Sequence, residues 1–440
     1  MSFHSRLSCK TLDAHPQGDA VKRILSAVLE AADPANAVRA NLERDGDMLK
    51  VGNTNFELQA LANIYIVAFG KAAPAMAGAA REILGENLSG GIVVGKYKSD
   101  VALDGLPLYL AGHPVPDAIS QQAGEAIRAL LSQSGENELV LFLISGGGSA
   151  LITSPVEDVS LGDLQELTSL LLGSGARIDE INTLRRALDQ VKGGGLARVA
   201  HPSKQVSLIL SDVVDSPLEA IASGATVPNP TRNADARAIL EKYDLRAQAP
   251  PAILDALAQD YSQIHTPLGE TLIVGSNQIS AEAARDAAIR EGFDARVLTT
   301  SLQGEAAEKG RELALSLLVA EAHPCCLIVG GETTVTLGSD PGEGGRNQEL
   351  ALAAVDVLAG AENRLFITLA TDGDDGPTDA AGAVINGETL NRAKALGLDP
   401  QAHLRAHSSY PFFDELGDLL KPGPTGTNVN DLVFLFVFAE

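Results

Sequence analysis

Short runs rich in Val, Ile, Leu and Phe recur along the chain at 64–69, 91–95, 139–144, 206–211, 271–275, 295–299, 326–330, 366–370 and 432–438. They lack the apolar–polar alternation of a half-exposed strand and so predict strands covered on both faces. Between them, apolar residues repeat at three- and four-residue steps over 20–32, 72–84, 119–133, 161–172, 178–192, 234–243, 279–291, 304–321, 347–359 and 387–396, which predicts helices. In 178–192, Ile178, Ile181, Leu184, Leu188 and Val191 form one stripe, Lys192 suits the last turn, and Gly193 ends it. Strands alternating with helices predict an α/β protein on mostly parallel, doubly wound sheet.

The texture changes over 228–268, with PNPT at 228–231, paired prolines at 250–251 and HTP at 265–267, and the strand–helix pattern resumes at Thr271. This predicts a loose tail over 1–18, one α/β domain over 19–250 and a second over 251–440, the boundary set to within about twenty residues.

Glycine-rich loops directly after the apolar runs hold the candidate chemistry. GGIVVGKYK from Gly90 nearly has P-loop spacing, but Tyr97 replaces the metal-binding hydroxyl and the intervening residues read as a strand. GGGLAR at 193–198 departs from the dinucleotide fingerprint, and no other segment supplies one after a strand. In LFLISGGGSA, a buried run leads into Ser145, Gly146, Gly147, Gly148 and Ser149, which suits either an anion wrapped by backbone amides or a tight turn. Leu151 excludes a nucleophile elbow centred on Ser149. In FGKA, Gly70 and Lys71 follow a strand at the edge where open α/β sheets bind ligands.

GGETTVTLGSDPGEGGRNQE carries Gly330, Gly331 and Glu332 after one strand and Gly344, Gly345, Arg346 and Asn347 at the start of a helix. An arginine in a first helical turn opposes the macrodipole, and an anion bound there by free amides and the guanidinium would relieve it. Beyond 366–370 stand Asp372, Asp374, Asp375 and Asp379, placed to suit a magnesium ion shared with substrate phosphates, or an acidic turn. Asp212 and Asp215 follow 206–211, and His113 lies in a rigid GHPVPD loop without partners at metal spacing. Thr425, Thr427, Asn428, Asn430 and Asp431 precede the last strand and suit a hydroxylated ligand.

Composition narrows the partners. Lys and Arg total 33 against 57 Asp and Glu, a net charge of −24, which disfavours nucleic acid and anionic membrane. Aromatic residues are 4% with no Trp, so stacking platforms for single strands are scarce. Cys9, Cys325 and Cys326 make no disulfide framework. The first twenty residues contain no apolar core of a secretory signal, and no apolar stretch reaches bilayer length, so a cytoplasmic protein is expected.

Together, VAFGKAA, GHPVPD, LISGGGSAL, INTLRRALDQVKGGGLA, SDVVDSPLEAIASGATVPNPT, GGETTVT, GGRNQELAL, TDGDDGPTDAAG and GPTGTNVNDL resemble the class II glycerate kinase family, in family order from 65 to 432. The resemblance implies a larger N-terminal Rossmann-like layered domain, a smaller C-terminal α/β domain and an active site in the cleft between them. It implies transfer of phosphate from ATP to the 2-hydroxyl of D-glycerate, with Mg²⁺ or another divalent cation. Lys71 and Arg346 fall on the family's key lysine and arginine. The implied substrate contacts are Lys71, Ser145, Gly146, Gly147, Ser149, Arg185, Lys192, Glu332 and Arg346, with Ala187 standing where many members carry histidine. The nucleotide side takes Gly331, Glu332, Gly345, Asn347, Asp372, Thr425 and Asn428, and the metal takes Asp372, Asp375 and Asp212. The partners expected are these small molecules, with a homodimer considered. The rivals are an NAD(P)H-dependent hydroxypyruvate reductase, which the missing dinucleotide fingerprint disfavours, and a non-catalytic hydroxy-acid or nucleotide sensor.

Overall fold

The apolar runs become strands of two separate six-stranded sheets in a computed structural model that describes residues 3–259, 269–320 and 324–439. The chain divides into two units, Pro34–Val274 and, as the second, Met1–Asp33 with Gly275–Glu440.

The first unit carries strands in the order Leu108–Leu110, Gly90–Gly95, Asn63–Phe69, Glu138–Ile144, Lys204–Leu210 and Glu270–Gly275. The first five pair in parallel. Residues of these strands such as Val67, Val94 and Phe142 bury against the helix Ala118–Leu131 through Ala123 and Ile127. That helix begins sharply because Asp117 accepts from the Ser120 amide at 2.9 Å while its own amide donates to Ser120 Oγ. A short antiparallel meander, Leu42–Asp45, Met48–Val51 and Thr54–Glu57, was not expected from its charged, barely apolar sequence.

The second unit orders its strands Asp294–Leu302, Cys325–Gly331, Asp431–Val437, Arg364–Ala370, Gly382–Asn386 and Leu419–Leu420. Only the first pair is parallel, and the other four pairings are antiparallel. The expectation of mostly parallel sheet therefore holds for the first unit and fails here. An apolar run reports burial on two faces, not strand direction. Both faces are covered: Cys326, Ile328, Phe434 and Phe436 enter one core, and Cys325, Val329, Leu435 and Val437 the other.

The domain limits also differ from those expected. The strand Glu270–Gly275 closes the parallel sheet instead of opening the next domain, and the helix Pro251–Ala258 buries Ile253 and Leu257 beside Leu184 and Leu188. His265 to Pro267, used to place the boundary, lie outside the described residues. Residues 3–18 are no loose tail, and 19–33 do not belong with the parallel sheet. Leu7, Leu12 and the helix Gly18–Ala32 join the core of the second unit. Val21, Ile24, Leu25, Val28 and Leu29 are fully buried there, and Ala281, Ala284 and Ala288 of the helix Asn277–Arg290 lie in the same core. Five buried aliphatic side chains contribute on the order of 10 kcal/mol, as an upper bound. Asp418 fixes the segment further, accepting from the Thr11 amide at 2.9 Å and from Arg392 Nη1 at 2.8 Å.

Candidate functional site

In the parallel sheet the chain runs outward from Asn63–Phe69 to Gly90–Gly95, then returns to Glu138–Ile144 on the opposite side. The carboxyl ends of Asn63–Phe69 and Glu138–Ile144 thus flank the switch in strand order, where such sheets bind ligands. Lys71 and the Ser145–Ser149 turn sit there. The two turns are stitched together: Ser145 N donates to Phe69 O at 3.1 Å, and Lys71 N donates to Gly146 O at 2.9 Å. Gly70, at φ +131°, has no room for a Cβ, which would fall 2.1 Å from Ser145 Oγ. Ser145 is 1% exposed and its Oγ accepts from the Ala72 amide at 3.0 Å, so it holds the turn instead of presenting a hydroxyl as expected. A side chain at Gly146 would collide with the Asp212 carboxylate, which places Asp212 against this turn. Gly147, at φ +81°, faces the Lys71 stem and the His113 ring.

Lys71 is exposed. Burial, then the charges of Lys71, Lys96 and Arg185, push the His113 imidazole below its usual pKa. Three cations thus act on one imidazole, a local positive field in a chain of net charge −24. Lys96 comes from the rejected P-loop-like segment and arrives because Gly90–Gly95 pairs with Asn63–Phe69. Arg185 Nη1 stands 3.5 Å from Ser149 Oγ. Lys192 departs from the expected substrate contact. It is 3% exposed, ion-paired with Asp189, and donates to Ile152 O at 3.1 Å, so its charge is spent inside the fold.

At one edge of the mixed sheet, Asp431 pairs in register with Gly331 on one side and Ala370 on the other. That pairing brings Glu332, Asp431 and Asp372 to the same edge. Arg346 binds both ends of it: Nε lies 2.6 Å from Asp431 Oδ2, Nη2 3.3 Å from Oδ1, and Nη1 2.7 Å from Glu332 Oε1. Burial alone would lower the Arg346 pKa, but the charges of Asp431 and Glu332 hold it above the usual guanidinium value. Gly330 and Gly331 are both required by close packing. A Cβ on Gly330 would strike Asn277 Oδ1, and one on Gly331 the backbone of Leu302. Asn277, which no sequence motif singled out, donates from Nδ2 to Val429 O at 3.0 Å and Asp431 O at 2.9 Å, and so fixes the start of the Asp431 strand.

Asp375 and the amides at Arg346 differ most from expectation. Asp375 is 3% exposed and accepts from Asn347 N at 3.1 Å, Asn347 Nδ2 at 3.3 Å and Gln348 N at 2.9 Å. It caps the helix Arg346–Ala354, so the Asn347 amide is not free for phosphate and both Asp375 oxygens are engaged by the start of that helix. Gly345 is required for this approach, since its Cβ would fall 2.2 Å from Asp375 Cγ. Burial raises the Asp375 pKa to about 7 against the lowering pull of the Gln348 amide. Asp375→Ala should lower stability by about 2 kcal/mol, read as a lower urea midpoint, because it strands buried helix amides. An unchanged midpoint would contradict the capping role.

Asp372 is half-buried, and burial followed by the Asp431 charge lifts its pKa to about 6. A carboxylate raised by burial and by a neighbouring negative charge is relieved by a cation, which fits Asp372 as a divalent-metal ligand. Among the described residues no group of three or more His, Cys, Asp or Glu is arranged to hold a metal. One or two carboxylates completed by substrate phosphates is the pattern that suits magnesium. Thr425 and Asn428 bind their own loop: Thr425 Oγ1 donates to Thr371 O at 2.6 Å, and Asn428 Oδ1 accepts from Asn430 N at 2.8 Å.

Residues 20–258 match the family described as a domain of unknown function, DUF4147, and residues 325–431 match the MOFRL family. A D-glycerate 2-kinase of Thermotoga maritima is 44% identical over 380 residues, 85% of this chain and 90% of its own. A glycerate 2-kinase of Pyrococcus horikoshii is 40% identical over 438 residues, 95% and 97% of the two chains. A relative from Agrobacterium vitis, 39% identical over 94% of this chain and 92% of its own, bears the provisional name hydroxypyruvate reductase. The crystal structure of a glycerate kinase from Thermotoga maritima matches with a TM-score of 0.86 and 40% identity, covering 95% of this chain and 98% of that one. With its two sheet edges and both family regions in place, the chain belongs to the class II glycerate kinase family.

Proposed function

We propose that the chain is an ATP-dependent glycerate 2-kinase that phosphorylates the 2-hydroxyl of D-glycerate, giving 2-phosphoglycerate and ADP. The observation that carries this reading is the contrast between two sheet edges. On one, the charges of Lys71, Lys96 and Arg185 act on His113; the other gathers Glu332, Asp372 and Asp431 about Arg346. Phosphoryl transfer needs little covalent help from a protein, and its demands are positioning and charge neutralisation. Cations suit the anionic acceptor and the transferring group; carboxylates suit a metal-bound nucleotide.

In this reading Lys71 and Arg185 hold the acceptor acid, with Lys96 adding to the field. Arg346 turns its fixed guanidinium to the transferring phosphoryl group, while Asp431 and Glu332 keep its plane from rotating. Asp372 is the metal ligand we propose, and a bound Mg²⁺ would neutralise charge on the β- and γ-phosphates. Asp212, whose carboxylate lies against the Gly146 turn, is our choice to receive the 2-hydroxyl proton. Small-molecule substrates and a cytoplasmic location go with this reading; no described helix is long and apolar enough to cross a membrane.

An assay for ADP release tests the proposal: ADP should accumulate with D-glycerate and ATP. Consumption of NADH or NADPH with hydroxypyruvate, without ADP from glycerate, would establish the reductase instead. Binding without any turnover would establish a sensor.

The raised Asp372 carboxyl also predicts the acid limb of the pH profile. The ionised form is the competent one and forms only as pH rises through about 6. kcat/KM should therefore be flat above that value and fall about tenfold per pH unit well below it. A profile level down to pH 5 would remove Asp372 from this role.

A further inference from the structure

Beyond the strand Lys204–Leu210, Ala222 and Ser223 both adopt left-handed backbone angles, φ 49° and 56°, ahead of Gly224 at φ 64°. Two side-chain-bearing residues in succession keep this conformation only where the surroundings impose it. The glycine turn after Lys192 does so: Gly193 N donates to Ser223 O at 3.0 Å, Gly194 N to Gly224 O at 2.7 Å, and Leu196 N to Ala225 O at 3.1 Å.

The strained segment places one hydroxyl. Ser223 Oγ lies 2.7 Å from Ser149 Oγ and donates to Asn182 Oδ1 at 3.0 Å. Ser223 is fully buried and Asn182 is 5% exposed, whereas Ser149 and Arg185 are only half-buried. Each hydroxyl has one proton to give. Because Asn182 takes the Ser223 proton, Ser223 accepts from Ser149, and the Ser149 proton is committed inward. Arg185 Nη1 donates to one Ser149 lone pair at 3.5 Å, so Ser149 offers a ligand only the other. A phosphate oxygen, itself an acceptor, does not suit that position, but a hydroxyl does.

We propose that Ser223 and Asn182 are positioning residues that fix Ser149 as the acceptor for the non-reacting 3-hydroxyl of the acid, so that the enzyme selects a 2,3-dihydroxy acid over its 3-deoxy analogue. This rests on the kinase reading. A methyl group in place of the hydroxyl would leave the second Ser149 lone pair unpaired in a partly buried site, the arrangement that rejects analogues most strongly.

The test compares ADP release from D-glycerate and from D-lactate in the wild type, Ser223→Ala, Asn182→Ala and Asn182→Asp. Ala222 already holds left-handed angles without a hydroxyl, so Ser223→Ala keeps the backbone feasible. Ser223→Ala and Asn182→Ala should narrow the glycerate-to-lactate ratio of kcat/KM by about tenfold, the worth of one neutral hydrogen bond. The loss should fall on glycerate. Asn182→Asp, which keeps an acceptor oxygen, should retain the wild-type ratio. A ratio unchanged in both alanine variants, or a loss shared equally by both acids, overturns the inference and leaves the kinase reading standing. So does a discrimination that moves between ATP and 3′-deoxy-ATP, since the hydroxyl read would then be the ribose's. Absence of ADP from wild-type protein with either acid would overturn the kinase reading itself, and the inference with it.

Discussion

Lys71→Ala should lower kcat/KM for D-glycerate at least about a hundredfold, equivalent to ~2.7 kcal/mol of lost transition-state stabilisation. The lysine is exposed while its backbone amide is held by Gly146 O, so the side chain can be removed without opening the turn. Its ammonium group stands in a chain of net charge −24, where a substrate anion must overcome an unfavourable overall field before reaching it. Lys96 and Arg185 remain in the variant, which is why the expected loss is large but not total. Steady-state kinetics with a melting curve check this. The melting temperature should stay within a few degrees, as for an exposed charge. Near-native kcat/KM would remove Lys71 from the site.

Arg346→Ala should cost at least as much in kcat/KM, about a hundredfold or more, and unlike Lys71→Ala it should also cost stability. Its guanidinium spans Asp431 and Glu332, and the Asp431 side chain is 8% exposed. Removing the arginine leaves that carboxylate charged and unpaired. Since Arg346 itself is 30% exposed, solvent screens part of the effect, and about 1–3 kcal/mol is expected. Arg346→Lys discriminates charge from geometry. A lysine supplies one point charge and cannot make the fork to two carboxylates, so it should recover little activity. Full activity in Arg346→Lys would mean that charge alone is required there. Retention of stability in Arg346→Ala would mean that Asp431 has another counter-charge.

Much of this architecture could be read from local pattern, and the failures share a cause. Every apolar run became a strand. Asp294–Leu302 is largely exposed, but most are buried on both faces, which leaves an uninterrupted signature whichever way the strand points. Direction and sheet membership leave none. Glu270–Gly275 was therefore assigned to the wrong sheet and the mixed sheet was expected to be parallel. Lys71 and Arg346 were legible because each combines glycine, a cation and the end or start of an element. Lys96 carries the same signs, but its relevance depends on which strand lies beside its own. Charge is visible in sequence and its partner is not. Lys192 is neutralised by Asp189, and Asp375 is consumed by helix amides some 28 residues earlier in the chain. Asn277 sits in none of the motifs, and Ser223, though inside the 211–231 string, carries no local sign of its role, since both act through hydrogen bonds to distant backbone and side-chain atoms.

Phosphorus NMR of the product formed from ATP and D-glycerate tests the central claim most directly. The account predicts ADP and a single new phosphomonoester, 2-phosphoglycerate, formed in step with ATP loss. A resonance belonging to 3-phosphoglycerate, or no phosphomonoester while NAD(P)H is consumed with hydroxypyruvate, would contradict it.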